Sequence, residues 1–93
     1  MLKSPICDLL GIEYPVLQGG MAWIADADLA AAVSNGGGLG IISAMNADAD
    51  YLRGQVEKVR TLTDKPFGVN IMLMSPFAEE VAQVVIDMKV PVV

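Results

Sequence analysis

The sequence predicts an α/β fold in which the strands of a parallel sheet alternate with helices on its outside. Apolar runs beginning near positions 14, 39, 67 and 90 are continuous rather than alternating, as in strands buried on both faces. A capped or amphipathic helical stretch fills each gap between them, which is the pattern of βαβ units. Each complete run also ends on a polar side chain: Gln18, Ser43 and Asn70. A closed eight-stranded barrel and an open doubly wound sheet both satisfy this local pattern. In both, ligands bind at the carboxyl ends of the strands.

The elements follow in order. Ser4 and Pro5 open a short helix, with a capping hydroxyl followed by a proline whose missing N–H costs nothing. Ile6, Leu9 and Leu10 give it one apolar face, and Gly11 closes it. Tyr14 to Leu17 is the first strand. Asp26 caps a helix with Leu29, Ala32 and Val33 on one side, stopped at Asn35 and Gly36. Leu39 to Ile42 is the second strand. Asp48 and Asp50 open a helix that buries Leu52, Val56 and Val59, while Arg53, Glu57, Lys58 and Arg60 face water. Gly54 weakens that helix by about 1 kcal/mol relative to alanine. Phe67 to Leu73 is the third strand, interrupted by Asn70. Ser75 and Pro76 then start a helix whose stripe is Phe77, Val81, Val84, Val85 and Met88. Val90 begins a fourth strand.

Composition narrows the class. The 93 residues are 54% hydrophobic, with a mean hydropathy of +0.51. A free-standing domain of this size buries only roughly 60% of its unfolded surface. So much apolar material, ending on Val90-Pro91-Val92-Val93, reads as the N-terminal part of one larger domain, residues 1–93, cut within or just after its fourth strand. A net charge of −5 without a basic run argues against nucleic acid. One cysteine allows no internal disulfide, and without histidine no metal site is expected. Cys7 reads as a small core residue. No signal peptide is evident, and no run approaches the roughly 20 apolar residues of a membrane span. A cytoplasmic protein without membrane attachment is the expectation.

Two glycine clusters invite a ligand. Gly36-Gly37-Gly38-Leu39-Gly40 precedes a strand, whereas a dinucleotide-binding turn must follow one and open a helix. It reads as a helix stop and a tight helix-to-strand turn; an open-sheet nucleotide-binding module is the reading it would otherwise support. Gln18-Gly19-Gly20-Met21 sits where a ligand turn belongs. Paired glycines there let main chain come close to a flat or charged ligand; a plain tight turn with Met21 as core filler fits equally well. Asn70 breaks an apolar run, so its amide either ties down backbone or faces a ligand, offering both donor and acceptor. Ser43 is a weaker candidate. Met72 and Met74 read as packing residues. No nucleophile with its base and no pair of acids stands out.

The segments Tyr14-Pro15-Val16-Leu17-Gln18-Gly19-Gly20-Met21-Ala22-Trp23, Gly37-Gly38-Leu39-Gly40-Ile41-Ile42 and Leu62 to Leu73 occur in this order and at these spacings. Together they resemble the N-terminal part of the FMN-dependent enoyl-[acyl-carrier-protein] reductase II and nitronate monooxygenase (2-nitropropane dioxygenase) family. Asn70-Ile71-Met72-Leu73 followed by Ser75-Pro76-Phe77 looks more like the reductases. The resemblance implies a TIM-type (βα)8 barrel, of which this chain would be about three and a half βα units. It implies FMN at the carboxyl face, with Gly20, Met21 and Ala22 along the flavin and Asn70 bonded to its ring or ribityl side. Gln18 and Ser43 would lie near the same face.

The implied reaction takes hydride from NAD(P)H through the flavin to the β-carbon of a trans-2-enoyl thioester on acyl carrier protein or CoA, in a cytoplasmic enzyme that is a homodimer when full length. The other readings are a nitronate monooxygenase, and a non-catalytic truncated piece of such an enzyme. The family's catalytic histidine has no counterpart here, so catalytic residues are expected beyond Val93, as are the phosphate-binding loops that usually follow strands seven and eight of such barrels.

Overall fold

A computed structural model describes residues 4–21, 26–44 and 47–93. Its elements are α1 (Pro5–Leu10), α2 (Ala27–Asn35), β1 (Gly40–Ser43), α3 (Ala49–Leu62), β2 (Phe67–Asn70) and α4 (Ala78–Asp87). β1 and β2 pair in parallel, from Gly40 opposite Phe67 to Ser43 opposite Asn70. The two flanking strands expected from sequence are each reduced to one parallel bridge, Leu17 with Leu39 and Val92 with Gly68. The β-segments nevertheless stand in chain order and all run the same way.

Local chemistry explains the shortened first strand. The N–H groups of Glu13 and Tyr14 both donate to the Gly37 carbonyl, and the Val16 N–H donates back to the Tyr14 carbonyl across Pro15. The preceding rung would join the Val16 N–H to the Gly37 carbonyl, but both groups are engaged in this turn, so pairing begins only at the Val16 carbonyl. β2 likewise stops at Asn70 instead of running to Leu73. The chain turns there, with the Ser75 N–H donating to the Met72 carbonyl at 3.0 Å.

The helices start largely where their caps place them. Asp26 Oδ1 accepts from the Leu29 N–H at 3.0 Å, and Asp48 Oδ1 accepts from the Tyr51 N–H at 2.9 Å. Gln55 Oε1, reaching across from α3, accepts from the Ala27 N–H at 2.8 Å and satisfies a further donor at the start of α2. Ser75 acts one step earlier than expected. Its Oγ accepts from the Phe77 N–H at 3.1 Å, forming a turn before α4 rather than the cap of α4 itself. Ser4 occupies the cap position of α1, but its hydroxyl makes no capping bond.

The main core lies between one face of the sheet and α2, α3 and α4. Ile42 and Val69 meet Leu52, Val56, Val59, Val81 and Val84 there. Each fully buried aliphatic side chain contributes about 1.5–3 kcal/mol by transfer, an upper estimate. A second cluster of Cys7, Ile12 and Leu39, with Ile41 and Val92 against it, lies apart from the first. Two helix faces differ from expectation. α1 buries Cys7 and leaves Leu9 81% exposed. α2 buries Ala27, Ala30, Ala31 and Ser34, leaving Leu29 and Val33 half-buried and Ala32 exposed.

The reason for the α2 face is close packing. A Cβ at Gly40 would fall 1.9 Å from the Ala30 carbonyl oxygen, so only small residues fit where α2 crosses β1. Ser34 Oγ accepts from the Gly40 N–H at 3.0 Å in the same contact.

Polar links tie the helices together. Asn35 Nδ2 donates to the Leu62 carbonyl, while its Oδ1 accepts from the Thr63 hydroxyl. Lys58 pairs with Asp28 at 3.1 Å. Arg60, on the solvated side of α3, donates to the Met88 and Lys89 carbonyls and lies 5.7 Å from the Phe67 ring centre. No helix among the described residues is long and apolar enough to cross a membrane.

Two glycines should respond oppositely to alanine. Gly54 lies in α3 with open space where its Cβ would be, so Gly54→Ala should raise stability by about 0.5–1 kcal/mol in denaturant unfolding. Gly40→Ala should lower it by about 3 kcal/mol through overpacking.

Candidate functional site

The carboxyl ends of the β-segments form a mouth built from three chain crossings. Ser43 and Asn70 close β1 and β2 side by side, and the Ala44 N–H donates to the Asn70 carbonyl at 3.0 Å. Ser43 is buried at 5% exposure, whereas Asn70 is exposed. The third crossing is the turn after Leu17. A Cβ at Gly20 would meet Asn70 Cβ at 3.2 Å and Asn70 Nδ2 at 3.3 Å. The Gly20 main chain therefore lies directly against the Asn70 carboxamide. The Leu17 segment pairs with β1, and β1 with β2. The turn thus passes over β1 to reach the strand beyond it.

Hydrogen bonding is incomplete at this contact. Among the described residues, no acceptor meets the N–H groups of Gly19, Gly20 or Met21, and no partner meets the Asn70 carboxamide. The turn after Leu17 and the segment from Asn70 to Met74 carry no charged side chain. Met21 is 44% exposed, Leu73 87% and Met74 88%. Below the mouth an apolar groove runs along the sheet, lined by Leu17, Leu39, Ile41, Gly68, Val92 and Val93 and reaching Asn70. A neutral, partly apolar rim with free amide donors and acceptors suits a flat heterocycle better than a phosphate.

The expected site residues separate into distinct environments. Gly20 and Asn70 are in contact, and Met21 follows at the rim. Ala22 lies outside the described residues. Gln18 is nearby, but both of its amide donors bond backbone, the carbonyls of Gly19 and Ile41. Its Oε1 accepts from the Ile41 N–H at 3.1 Å. That engagement is invisible to sequence reasoning, because it depends on β1 lying alongside.

Met74, expected as a packing residue, stands almost fully in solvent instead, since β2 ends before it. Leu73 joins it at the rim. The only sequence signal for this was the polar break at Asn70. The glycine run from Gly36 to Gly40 lies at the opposite, amino end of β1, where Gly37 and Gly38 line a depression with Gly11, Ser34, Asn35 and Lys65.

Parallel β-segments in chain order, with helices outside and a mouth at the strand tips, are the arrangement of α/β proteins that bind ligands at the carboxyl ends of their strands. A solved structure titled FabK from Thermotoga maritima matches this arrangement with a TM-score of 0.96 and 50% identity, over 99% of this chain and 30% of that one. The fold is accordingly part of a (βα)8 barrel.

The chain belongs to the nitronate monooxygenase family, whose model matches residues 3–90. Among curated relatives, a nitronate monooxygenase of Paraburkholderia phytofirmans is 40% identical over 80 residues, which is 86% of this chain and 22% of that protein. A (3aS,4S,5R,7aS)-5-hydroxy-7a-methyl-1-oxo-octahydro-1H-indene-4-carboxyl-CoA dehydrogenase of Mycobacterium tuberculosis is 50% identical over 70 residues, 75% of this chain and 20% of that protein. The chain thus spans about a fifth of the length of these curated relatives.

The Asn70 carboxamide, without a partner among the described residues, makes a stability prediction. Asn70→Ala should change the unfolding free energy of the intact protein by less than about 0.5 kcal/mol, as for exposed side chains without partners. A loss above about 1 kcal/mol in denaturant titration would show that the amide supports the fold instead.

Proposed function

We propose that this mouth holds the ring system of FMN in an NAD(P)H-dependent oxidoreductase that reduces trans-2-enoyl thioesters carried by acyl carrier protein or CoA. The observation that carries the reading is the Gly20–Asn70 contact. Main chain lies open beside a carboxamide whose donor and acceptor meet no partner among the described residues, at a position where a Cβ would crowd that amide. The residues present fit an isoalloxazine on this ground. Free N–H groups at 19–21 can donate to ring carbonyls and nitrogens, and the Asn70 amide can pair with a ring edge that offers both donor and acceptor.

The flavin supplies reversible two-electron chemistry when bound. The chain's own residues orient it. Asn70 and the Gly19–Met21 backbone fix the ring by its edge, and Ser43 closes the sheet beside Asn70. Met21, Leu73 and Met74 present exposed apolar surface near the carboxyl end of the sheet. In this reading the proton-donating and phosphate-binding groups come from elsewhere in the whole enzyme, a cytoplasmic homodimer.

The likeness to FabK over 99% of this chain supports the reductase reading, and the carboxyl-CoA named for the M. tuberculosis relative supports a thioester-linked substrate. The family match favours a second reading, oxidation of alkyl nitronates with oxygen on the same barrel and flavin. Oxidation of NAD(P)H that requires crotonyl thioester distinguishes the first; oxygen uptake with a nitronate and no NAD(P)H distinguishes the second.

For the flavin itself, fluorescence titration of the intact protein with FMN should show Asn70→Ala weakening affinity at least about tenfold, the worth of one to two hydrogen bonds. Gly20→Val should weaken it further by filling the space beside Asn70. Unchanged affinity in both variants would remove the flavin from this mouth.

A further inference from the structure

Parallel strands exchange hydrogen bonds at a regular interval along the pair. Between the Leu17 segment and β1 the first two rungs are made by backbone: the Leu39 N–H donates to the Val16 carbonyl at 2.8 Å, and the Gln18 N–H donates to the Leu39 carbonyl at 3.0 Å. Continued at the same interval, the ladder would next join the Ile41 N–H to the Gln18 carbonyl, and the Gly20 N–H to the Ile41 carbonyl. Neither backbone bond is present. The Gln18 side chain makes both connections instead. Its Oε1 accepts from the Ile41 N–H at 3.1 Å, and its Nε2 donates to the Ile41 carbonyl at 3.0 Å. The remaining Nε2 hydrogen is directed to the Gly19 carbonyl.

The geometry points to Gln18 as a positioning residue for the flavin mouth: its carboxamide stands in for two ladder rungs and so releases Gly19 and Gly20 from the sheet. This rests on the flavin reading of the mouth given above. A continuing backbone ladder would satisfy Ile41 equally well, so satisfying Ile41 is not what the side chain adds. What changes is the course of the main chain. With Ile41 occupied, the Gly20 N–H is left without an acceptor among the described residues, and the glycines pass over β1 to rest against Asn70.

Few side chains can do this. The task needs one donor and one acceptor on the same planar group, carried far enough from the backbone to span one rung. Glutamate lacks the donor, methionine lacks both, and asparagine is a methylene short.

The test uses intact protein carrying Gln18→Glu or Gln18→Met, with Asn35→Ala as a control that loses inter-helix hydrogen bonds away from the mouth. Three quantities are read: FMN dissociation constant, visible circular dichroism of the bound flavin, and melting temperature of the apoprotein. Both Gln18 variants should weaken FMN binding at least tenfold and alter the flavin dichroism, with melting temperatures no lower than that of Asn35→Ala. The control should keep its FMN affinity within twofold and its dichroism unchanged. If Asn70→Ala weakens binding while both Gln18 variants bind FMN like the parent with unaltered dichroism, the flavin reading stands and the positioning role is overturned. If Asn70→Ala has no effect either, both fall.

Amide hydrogen exchange on the unsubstituted protein gives a measurement that depends on no variant folding. The Ile41 N–H should be protected in the apoprotein, and the Gly20 N–H should exchange freely until FMN is added. Protection of the Gly20 N–H in the apoprotein would overturn the inference.

Discussion

The parallel register of β1 on β2 is the constraint from which the rest of the site follows. Gly40 opposite Phe67 and Ser43 opposite Asn70 bring the two strand tips level. Level tips give the turn after Leu17 a surface to land on. Had the register slipped by one residue, every side chain of the strand would change face. Ile42 and Val69 would then leave the helix-facing core, and Asn70 would lose its place beside Gly20. The register is held from below by tight packing, because Gly40 lets α2 press its alanine face onto β1. Close helix–strand packing at one end of β1 thus supports an open polar contact at the other.

Much of this was legible in the sequence because the signals were local and agreed with one another. Asp26 and Asp48 mark helix starts through side-chain chemistry that needs no tertiary partner. Leu52, Val56 and Val59 repeat at helical spacing and are all fully buried. Gln18, Ser43 and Asn70 end successive apolar runs, and the structure gathers them at one end of the sheet. A polar residue that stops a buried strand is informative because such a group must find a partner or face an opening.

Features that depend on a neighbour were not legible. The buried side of α2 is chosen by how closely β1 approaches, so its alanines are covered while the larger Leu29 and Val33 lie at the flank. Periodicity weighs Leu above Ala and therefore pointed to the wrong stripe. α1 is too short for periodicity to decide its face, and its contact is made by Cys7 with Ile12 and Leu39. The turn at Tyr14–Val16 on one side and the Gln18 side chain on the other reduce the first strand to a single bridge, and the turn at Met72–Ser75 puts Met74 in solvent rather than in the core. Gln18 is the instructive case. Its polar place at a strand tip was legible, but the bonds of its amide to the Ile41 backbone depend on β1 lying alongside.

The physical claim at the centre is that one flat ligand is held jointly by the Gly20 main chain and the Asn70 carboxamide. A crystal structure of the intact protein with FMN bound tests it most directly. The account predicts an isoalloxazine edge within hydrogen-bonding distance of both groups, lying over the tips of β1 and β2. A flavin seated elsewhere, with the Gly20–Asn70 contact unchanged and facing only solvent, would contradict it.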